Sequence, residues 1–240
     1  MMLLKALLSF TAIAATTATC KEAPVVRWGV LAMPGVDLLD VYGPIELLYI
    51  VAGNLHLDVK IITPTAENVV IKPPLGNRFN STYRPEIVGQ ATFDDDLDLD
   101  VLVVPGGAVA RDPDTLYIDE YLIRMFPKVR HFVTICTGAI FAARAGLFDN
   151  RRATTNKAAW NLVTAHGENV TWVAPARYVR DGNVWSSSGV TAGMDLTLHM
   201  IREFYGEDLH NRISNGAELL PRAWDDDPFT DIVGVPHQGH

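Results

Sequence analysis

From residue 25 onward, apolar β-branched runs alternate with stretches of helical spacing, and this alternation constrains the fold most. "VVRWGVLAM" (25–33), "DVLVVPGG" (100–107) and "HFVTI" (131–135) read as core strands, and "LHLDVKIIT" (55–63) as a strand with partial alternation. Helical segments fall between and after them, at 38–52, 113–127, Thr137 to about Ala145 with Gly146 as cap, 157–166 and 190–206. Pro44 is expected in the first turn of its helix, where a missing N–H does no harm. Strands separated by helices need crossover connections. The expected fold is therefore one doubly wound α/β domain with a mostly parallel sheet.

Other stretches carry weaker signals. Residues 68–85 look hairpin-like but broken by prolines, 151–156 like a short strand, and 171–189 like a hairpin around Asp181-Gly182. The segment after 206 is acidic and contains proline, and reads as a C-terminal arm. "DDDLDLD" (94–100) lacks the spacing and glycine of an EF-hand, so it reads as a solvated loop. The 240 residues suffice for one domain with a full core, and 48 % apolar with 20 % charged residues fits a soluble globular chain. A net charge of −8 without a basic patch argues against nucleic acid as a partner.

The first twenty residues, "MMLLKALLSFTAIAATTATC", have one lysine, an apolar run and then small residues. That is the layout of a secretory signal peptide, with cleavage expected after Ala18 or Cys20 and a mature chain from about 21 to 240. The protein is expected to be secreted, or cytoplasmic if the leader is kept. No later stretch has the apolar length of a membrane span, so no membrane partner is expected for the mature form. Cleavage after position 20 would leave Cys136 as the lone cysteine, which points to a reactive thiol rather than a structural disulfide. Asn80-Ser-Thr and Asn169-Val-Thr are N-glycosylation sequons, compatible with that route.

In open α/β sheets, sites form at the carboxyl ends of strands, and three such ends carry chemistry here. Strand 131–135 runs directly into Cys136-Thr137-Gly138 and a small-residue helix, the pattern of a nucleophile elbow. A helix N-terminus beside the sulfur is expected to lower the thiol pKa. A buried inert cysteine fits the same residues. Gly106 and Gly107, after strand 101–104, offer backbone N–H groups for a developing negative charge, or make a plain tight turn. Asp40 either caps its helix or approaches the thiol as an acid–base group, its pKa raised by burial and a nearby anion. Thr137 is positioned to donate its hydroxyl to substrate or water. Tyr42, Phe141 and Trp160 suit either a pocket wall or the core. His131 and His199 read as structural, and His237 and His240 lie in the tail. Without H-E-x-x-H or C-x-x-C, neither a metal nor a cofactor is expected.

Taken together, "VLAMPGVDLLDVYGPIELL", "VLVVPGG", "TICTGAIFAARAGLFDNRRATTN" and "SSGVTAGMDLTL" resemble the ThiJ/PfpI superfamily over residues 25–206. The set is most similar to its isocyanide (isonitrile) hydratase-like branch. It is also shared with the amidase-like domains of some transcription regulators; no helix-turn-helix pattern accompanies it in these 240 residues. The resemblance implies a flavodoxin-like three-layer sandwich, commonly a homodimer. It makes Cys136 the nucleophile, Asp40 the acid beside it and Thr137 the adjacent hydroxyl, with Gly106, Gly107 and Gly138 shaping the pocket. One position departs from the pattern: Asn156 stands where the branch often has histidine, so no Cys–His–Asp triad is expected.

Three functions follow from these expectations. The first is a cofactor-free hydratase converting an isocyanide-type small electrophile to an N-substituted formamide. The second is a glyoxalase- or deglycase-like enzyme for 2-oxoaldehydes, against which Asp40 and Asn156 count. The third is a non-enzymatic redox sensor in which Cys136 oxidises beside the carboxyl.

Overall fold

The computed structural model describes residues 26–72 and 77–239. The proposed leader, Cys20 and His240 lie outside the described residues. A seven-stranded sheet forms the centre. Its strands are β1 (Val26–Leu31), β2 (Leu57–Thr63), β5 (Ala91–Thr92), β6 (Val101–Val104), β7 (His131–Ile135), β10 (Tyr178–Asp181) and β11 (Val184–Ser187). They are ordered β10-β11-β7-β6-β1-β2-β5. Every neighbouring pair is parallel except the β10–β11 hairpin. All four residues of β6 and all four of β11 are buried, which explains their unbroken apolar or small-residue runs.

Two groups of helices flank the sheet. One holds α1 (Leu38–Ala52), α5 (Val190–Tyr205) and α6 (Glu207–Gly216). The other holds α2 (Leu116–Met125), α3 (Ala139–Arg144) and α4 (Trp160–Thr164). Sequence periodicity located α1 and α5 but not α6, which was expected to be part of an arm. Leu209 and Ile213, one helical turn apart, bury against Leu47, Val51, Leu198 and Ile201 of α1 and α5. Burying each contributes about 1.5–3 kcal/mol, which holds a short helix of otherwise polar composition. Pro44 also differs from expectation. It lies inside α1 and buried, not in its first turn, so its missing N–H withholds a helical bond from the Asp40 carbonyl.

The sheet edge at β5 escaped sequence reading, since two residues carry no periodicity. Residues 68–85 do begin a hairpin-like excursion: β3 (Val69–Val70) pairs antiparallel with β4 (Glu86–Ile87), and β8 (Arg152–Ala153), inside the short strand expected at 151–156, pairs parallel with β9 (Thr171–Trp172). The aspartate run divides by burial. Asp94, Asp95, Asp96 and Asp98 are exposed, while Asp100 is buried and held by the backbone and guanidinium of Arg27. No helix among the described residues is long and apolar enough to cross a membrane.

The chain runs from β1 out to β2 and β5, then returns across β1 to β6 and on to β7. This reversal opens a crevice at the carboxyl ends of β1, β6 and β7, where loops diverge to opposite sides.

Candidate active site

Three turns meet in that crevice. After β1 the backbone turns through Gly35 to Asp37 and enters α1 with Asp40 in its first turn. After β6 come Pro105, Gly106 and Gly107. After β7 comes Cys136. The turns are laced together: the Asp37 N–H donates to the Gly106 carbonyl at 2.9 Å, and the Val109 N–H to the Gly35 carbonyl at 3.1 Å. Gly106 and Gly138 allow this approach. A Cβ at Gly106 would lie 2.5 Å from both N and Oγ1 of Thr137, and one at Gly138 would strike the Val104 carbonyl oxygen.

Cys136 is a free thiol with φ of +58°, in the left-handed region that side chains other than glycine rarely occupy. Such a residue stores about 1–3 kcal/mol of strain and needs surroundings that over-determine it. Those surroundings are present. The Cys136 N–H donates to the Ser188 carbonyl at 3.0 Å, and its own carbonyl accepts from Thr155 Oγ1 at 2.9 Å. The elbow expected from sequence therefore exists, held at both its N–H and its carbonyl.

Asp40 is wholly buried. Its Oδ2 accepts the Gly106 N–H at 2.9 Å, and its Oδ1 is buried with no hydrogen-bonding nitrogen or oxygen partner. The Cys136 thiol lies against this carboxyl: the oxygens of Asp37 and Asp40 and the Cys136 sulfur fall within 4.8 Å of one another. Burial pushes the Asp40 pKa up to about 7, helped by the negative charge of Asp37 and opposed by the Gly106 N–H and the thiol. Burial also raises Asp37, with Arg111 pulling the other way. Of the two sequence alternatives for Asp40, the structure selects approach to the thiol. Its helix has Asp37 at the N-cap position, without a side-chain cap.

The expected fall in the thiol pKa is corrected. Cys136 is pushed up to about 12, first by burial and then by the Asp40 and Asp37 charges. The Thr137 N–H and the Asn156 amide favour the thiolate but are outweighed. A short helical turn is a partial charge in a dry pocket, whereas two carboxyl groups bring full charges. At neutral pH the Asp40–Cys136 pair holds a thiol beside an acid near its midpoint.

The backbone donors also differ from expectation. The Gly106 N–H is engaged by Asp40. The Gly107 N–H donates to Thr137 Oγ1 at 2.8 Å, and that hydroxyl lies 3.2 Å from the Gly107 carbonyl. Gly106, Gly107 and Thr137 thus sit at the site but spend these groups on one another. Gly138 serves as a contact point between turns. Asn156, which sequence reading took as the loss of an orienting histidine, supplies a neutral replacement. Its Oδ1 accepts the Ala159 N–H at 3.1 Å, which turns the amide NH2 toward the Cys136 sulfur.

Asp37, Gly107, Cys136, Thr137 and Asn156 line a cleft of about 570 Å³, together with residues such as Val36, Ile71, Tyr83 and Arg111, while Asp40 lies behind it. No histidine of the described residues lines it. His131 instead accepts from Trp185 Nε1, and His199 pairs with Glu203 at 3.2 Å. Phe141 and Trp160 belong to the core, and Tyr42 is exposed and not among the residues that line the cleft. Asp37, Asp40 and Cys136 form the one group of three possible metal donors found among the described residues. Cys136 with its pKa near 12 and Asp40 near 7 hold protons at neutral pH, which a cation there must first displace.

Comparison with known proteins shows the family and the fold. The chain is 30 % identical over 200 residues to the isonitrile hydratase of Pseudomonas putida, covering 80 % of this chain and 78 % of that protein. A ThiJ/PfpI family protein from Pseudomonas syringae superposes with a TM-score of 0.69 at 23 % identity, over 90 % of this chain and 84 % of that one. Drosophila melanogaster DJ-1beta superposes with a TM-score of 0.64 at 16 % identity, over 82 % of this chain and all of that one. The family model described as DJ-1/PfpI matches residues 27–203, most of the length, and the chain belongs to the DJ-1/PfpI family.

Proposed function

We propose that the protein is a cofactor-free hydratase in which Cys136 attacks the terminal carbon of an isocyanide and Asp40 moves the proton. The observation that carries this reading is the Asp40–Cys136 contact: a buried carboxyl with a pKa near 7 and an unpartnered oxygen, set against a strained thiol. A thiol with its pKa near 12 gives almost no free thiolate at pH 7, so deprotonation has to accompany attack. Ionised Asp40 takes the proton as the sulfur–carbon bond forms, then delivers it to the same carbon. The product is a thioimidate, R–N=CH–S–Cys136. Water adds to that carbon, with one of its protons passing to nitrogen. The carbon–sulfur bond then breaks, the second proton returns to sulfur by way of Asp40, and R–NH–CHO leaves. Covalent attack splits one difficult addition into two easier ones.

The 30 % identity to an isonitrile hydratase supports the substrate class. Incubation of the purified protein with an aliphatic isocyanide should yield the formamide, and Cys136→Ala should abolish it. Absence of turnover, or turnover undiminished in Cys136→Ala, overturns the reading; conversion of methylglyoxal to lactate instead favours the 2-oxoaldehyde alternative. Secretion after loss of the leader and a homodimeric mature form belong to the same proposal. They are tested by intact mass of protein from the medium and by sedimentation equilibrium.

A further inference from the structure

Two residues that hold Cys136 in its strained conformation, Thr155 and Ser188, also contact one buried cation through their other polar atoms. Lys157 is 3 % exposed. Its Nζ lies 3.1 Å from Thr154 Oγ1, 3.2 Å from the Thr155 carbonyl, 2.9 Å from the Ala176 carbonyl and 3.1 Å from Ser188 Oγ. Thr155 and Ser188 are the residues that bond the Cys136 carbonyl and N–H, and Asn156, which turns its amide to the sulfur, is the preceding residue. An ammonium has three donors, so five nearby oxygens share them, and only one of the five carries charge. That one belongs to Asp227, whose Oδ2 lies 2.8 Å from Nζ with its side chain fully buried. The Asp227 Oδ1 accepts the Phe229 N–H at 3.2 Å, at the head of α7 (Phe229–Val233).

Asp227 comes from the segment read from sequence as a trailing arm. In the structure residues 219–239 are fastened along the β10 side. The Trp224 carbonyl accepts the Arg177 N–H at 2.5 Å, and Ala174 and Gln238 exchange backbone hydrogen bonds of 3.0 and 2.7 Å. The other charge facing Lys157 is Arg177, which is itself neutralised by Asp195 at 2.5 Å. Asp227 is therefore the counter-charge that lets Lys157 stay ionised where it is. Burial lowers the Lys157 pKa, and the Asp227 carboxylate opposes that fall.

We propose that Lys157 and Asp227 form a positioning pair for Cys136, which makes the C-terminal arm a working part of the site. The pair touches neither the sulfur nor the cleft's reacting atoms. It acts through Thr155 and Ser188, whose bonds set the Cys136 backbone, and through Asn156. This inference needs Cys136 to be the reacting group but does not need the isocyanide.

The test uses iodoacetamide alkylation of Cys136, read by intact mass, so its outcome is separable from the identity of the substrate. Asp227→Asn leaves a buried lysine without its counter-charge, and that variant can fail by unfolding. The informative protein is therefore Lys157→Met/Asp227→Leu, which replaces the pair by apolar groups of similar size and leaves no unpaired buried charge. Its thermal melt should stay cooperative, while alkylation at pH 8 accelerates at least about ten-fold because the thiol is no longer held 98 % buried. Turnover of any substrate the wild type accepts should fall about ten- to a hundred-fold in kcat with KM little changed, the mark of lost alignment. Lys157→Arg/Asp227→Glu, which restores a charge pair, should recover part of both. A cooperatively folded apolar double variant with wild-type alkylation rate and pH profile overturns the proposal. So does an apolar double variant that fails to fold while the Arg/Glu pair folds and alkylates at the apolar variant's expected rate.

Discussion

Asp40 and Asp227 are the same residue type at nearly the same burial, and they do opposite things. Asp227 faces the Lys157 ammonium at 2.8 Å. Asp40 faces a backbone N–H, a thiol and another carboxyl instead. An acid buried with a counter-charge joins elements of the fold. An acid buried without one holds its proton to neutral pH, and so can exchange it with a neighbour. Asp195 sides with Asp227: its Oδ2 meets Arg177 Nε at 2.5 Å and its Oδ1 the Arg222 N–H at 3.3 Å. The contrast separates chemistry from architecture within one crowded region, because both kinds of acid lie within a few residues' contact of the elbow.

Four substitutions break or sharpen this contrast. Cys136→Ala should have the largest effect, lowering turnover by at least about 10⁴-fold, as removal of a nucleophile does. Formamide production with saturating isocyanide checks it. Asp40→Asn should lower kcat by about 10²–10⁴-fold while making the protein more stable. The sign follows from its pKa, about 7 folded against 3.8 for the free side chain. The folded state keeps a proton that the unfolded chain releases between those values, so wild-type stability falls as pH rises from about 4 to 7. The asparagine has no such dependence. Its advantage in urea unfolding should be small at pH 4 and grow toward a limit of about 4 kcal/mol above pH 7. A variant that loses stability at pH 8 would place Asp40 with the paired acids after all.

Asp195→Asn should move stability the other way. It leaves Arg177 buried without its carboxylate, and about 3–5 kcal/mol should be lost in the same measurement. Asn156→Ala should have the smallest effect. Losing the turn cap costs about 1 kcal/mol, and losing the amide at the sulfur raises the thiol pKa further. A few-fold slower alkylation at pH 8, with the midpoint moved to higher pH, is expected. Faster alkylation would show that Asn156 screens the thiol more than it polarises it.

Much of the site was legible beforehand because its groups are local. The elbow is a strand running straight into Cys136-Thr137-Gly138, and the glycines mark where turns must touch. Asp40 was readable as an acid that follows the first strand. The direction of the thiol pKa was not, since it is a balance between a helix end visible in sequence and a burial visible only in space. Lys157 was likewise hidden. In "RRATTNK" it looks like a solvated surface lysine, and its partner lies seventy residues later in an acidic tail.

Periodicity and turn chemistry by themselves determined the alternating α/β order, the mostly parallel sheet, the sharp strand-to-helix turn at Cys136 and the three strand ends that carry the candidate residues. These are short-range properties, carried by residues a few positions apart. Only the tertiary structure decided that α6 packs on α1 and α5, that the Gly106 and Gly107 N–H groups are already engaged, that Asn156 presents its amide to the sulfur, and which buried acids are paired. Those outcomes depend on desolvation and on contacts between residues far apart in the chain, and no spacing along the sequence encodes how deeply a charge is buried or what faces it there.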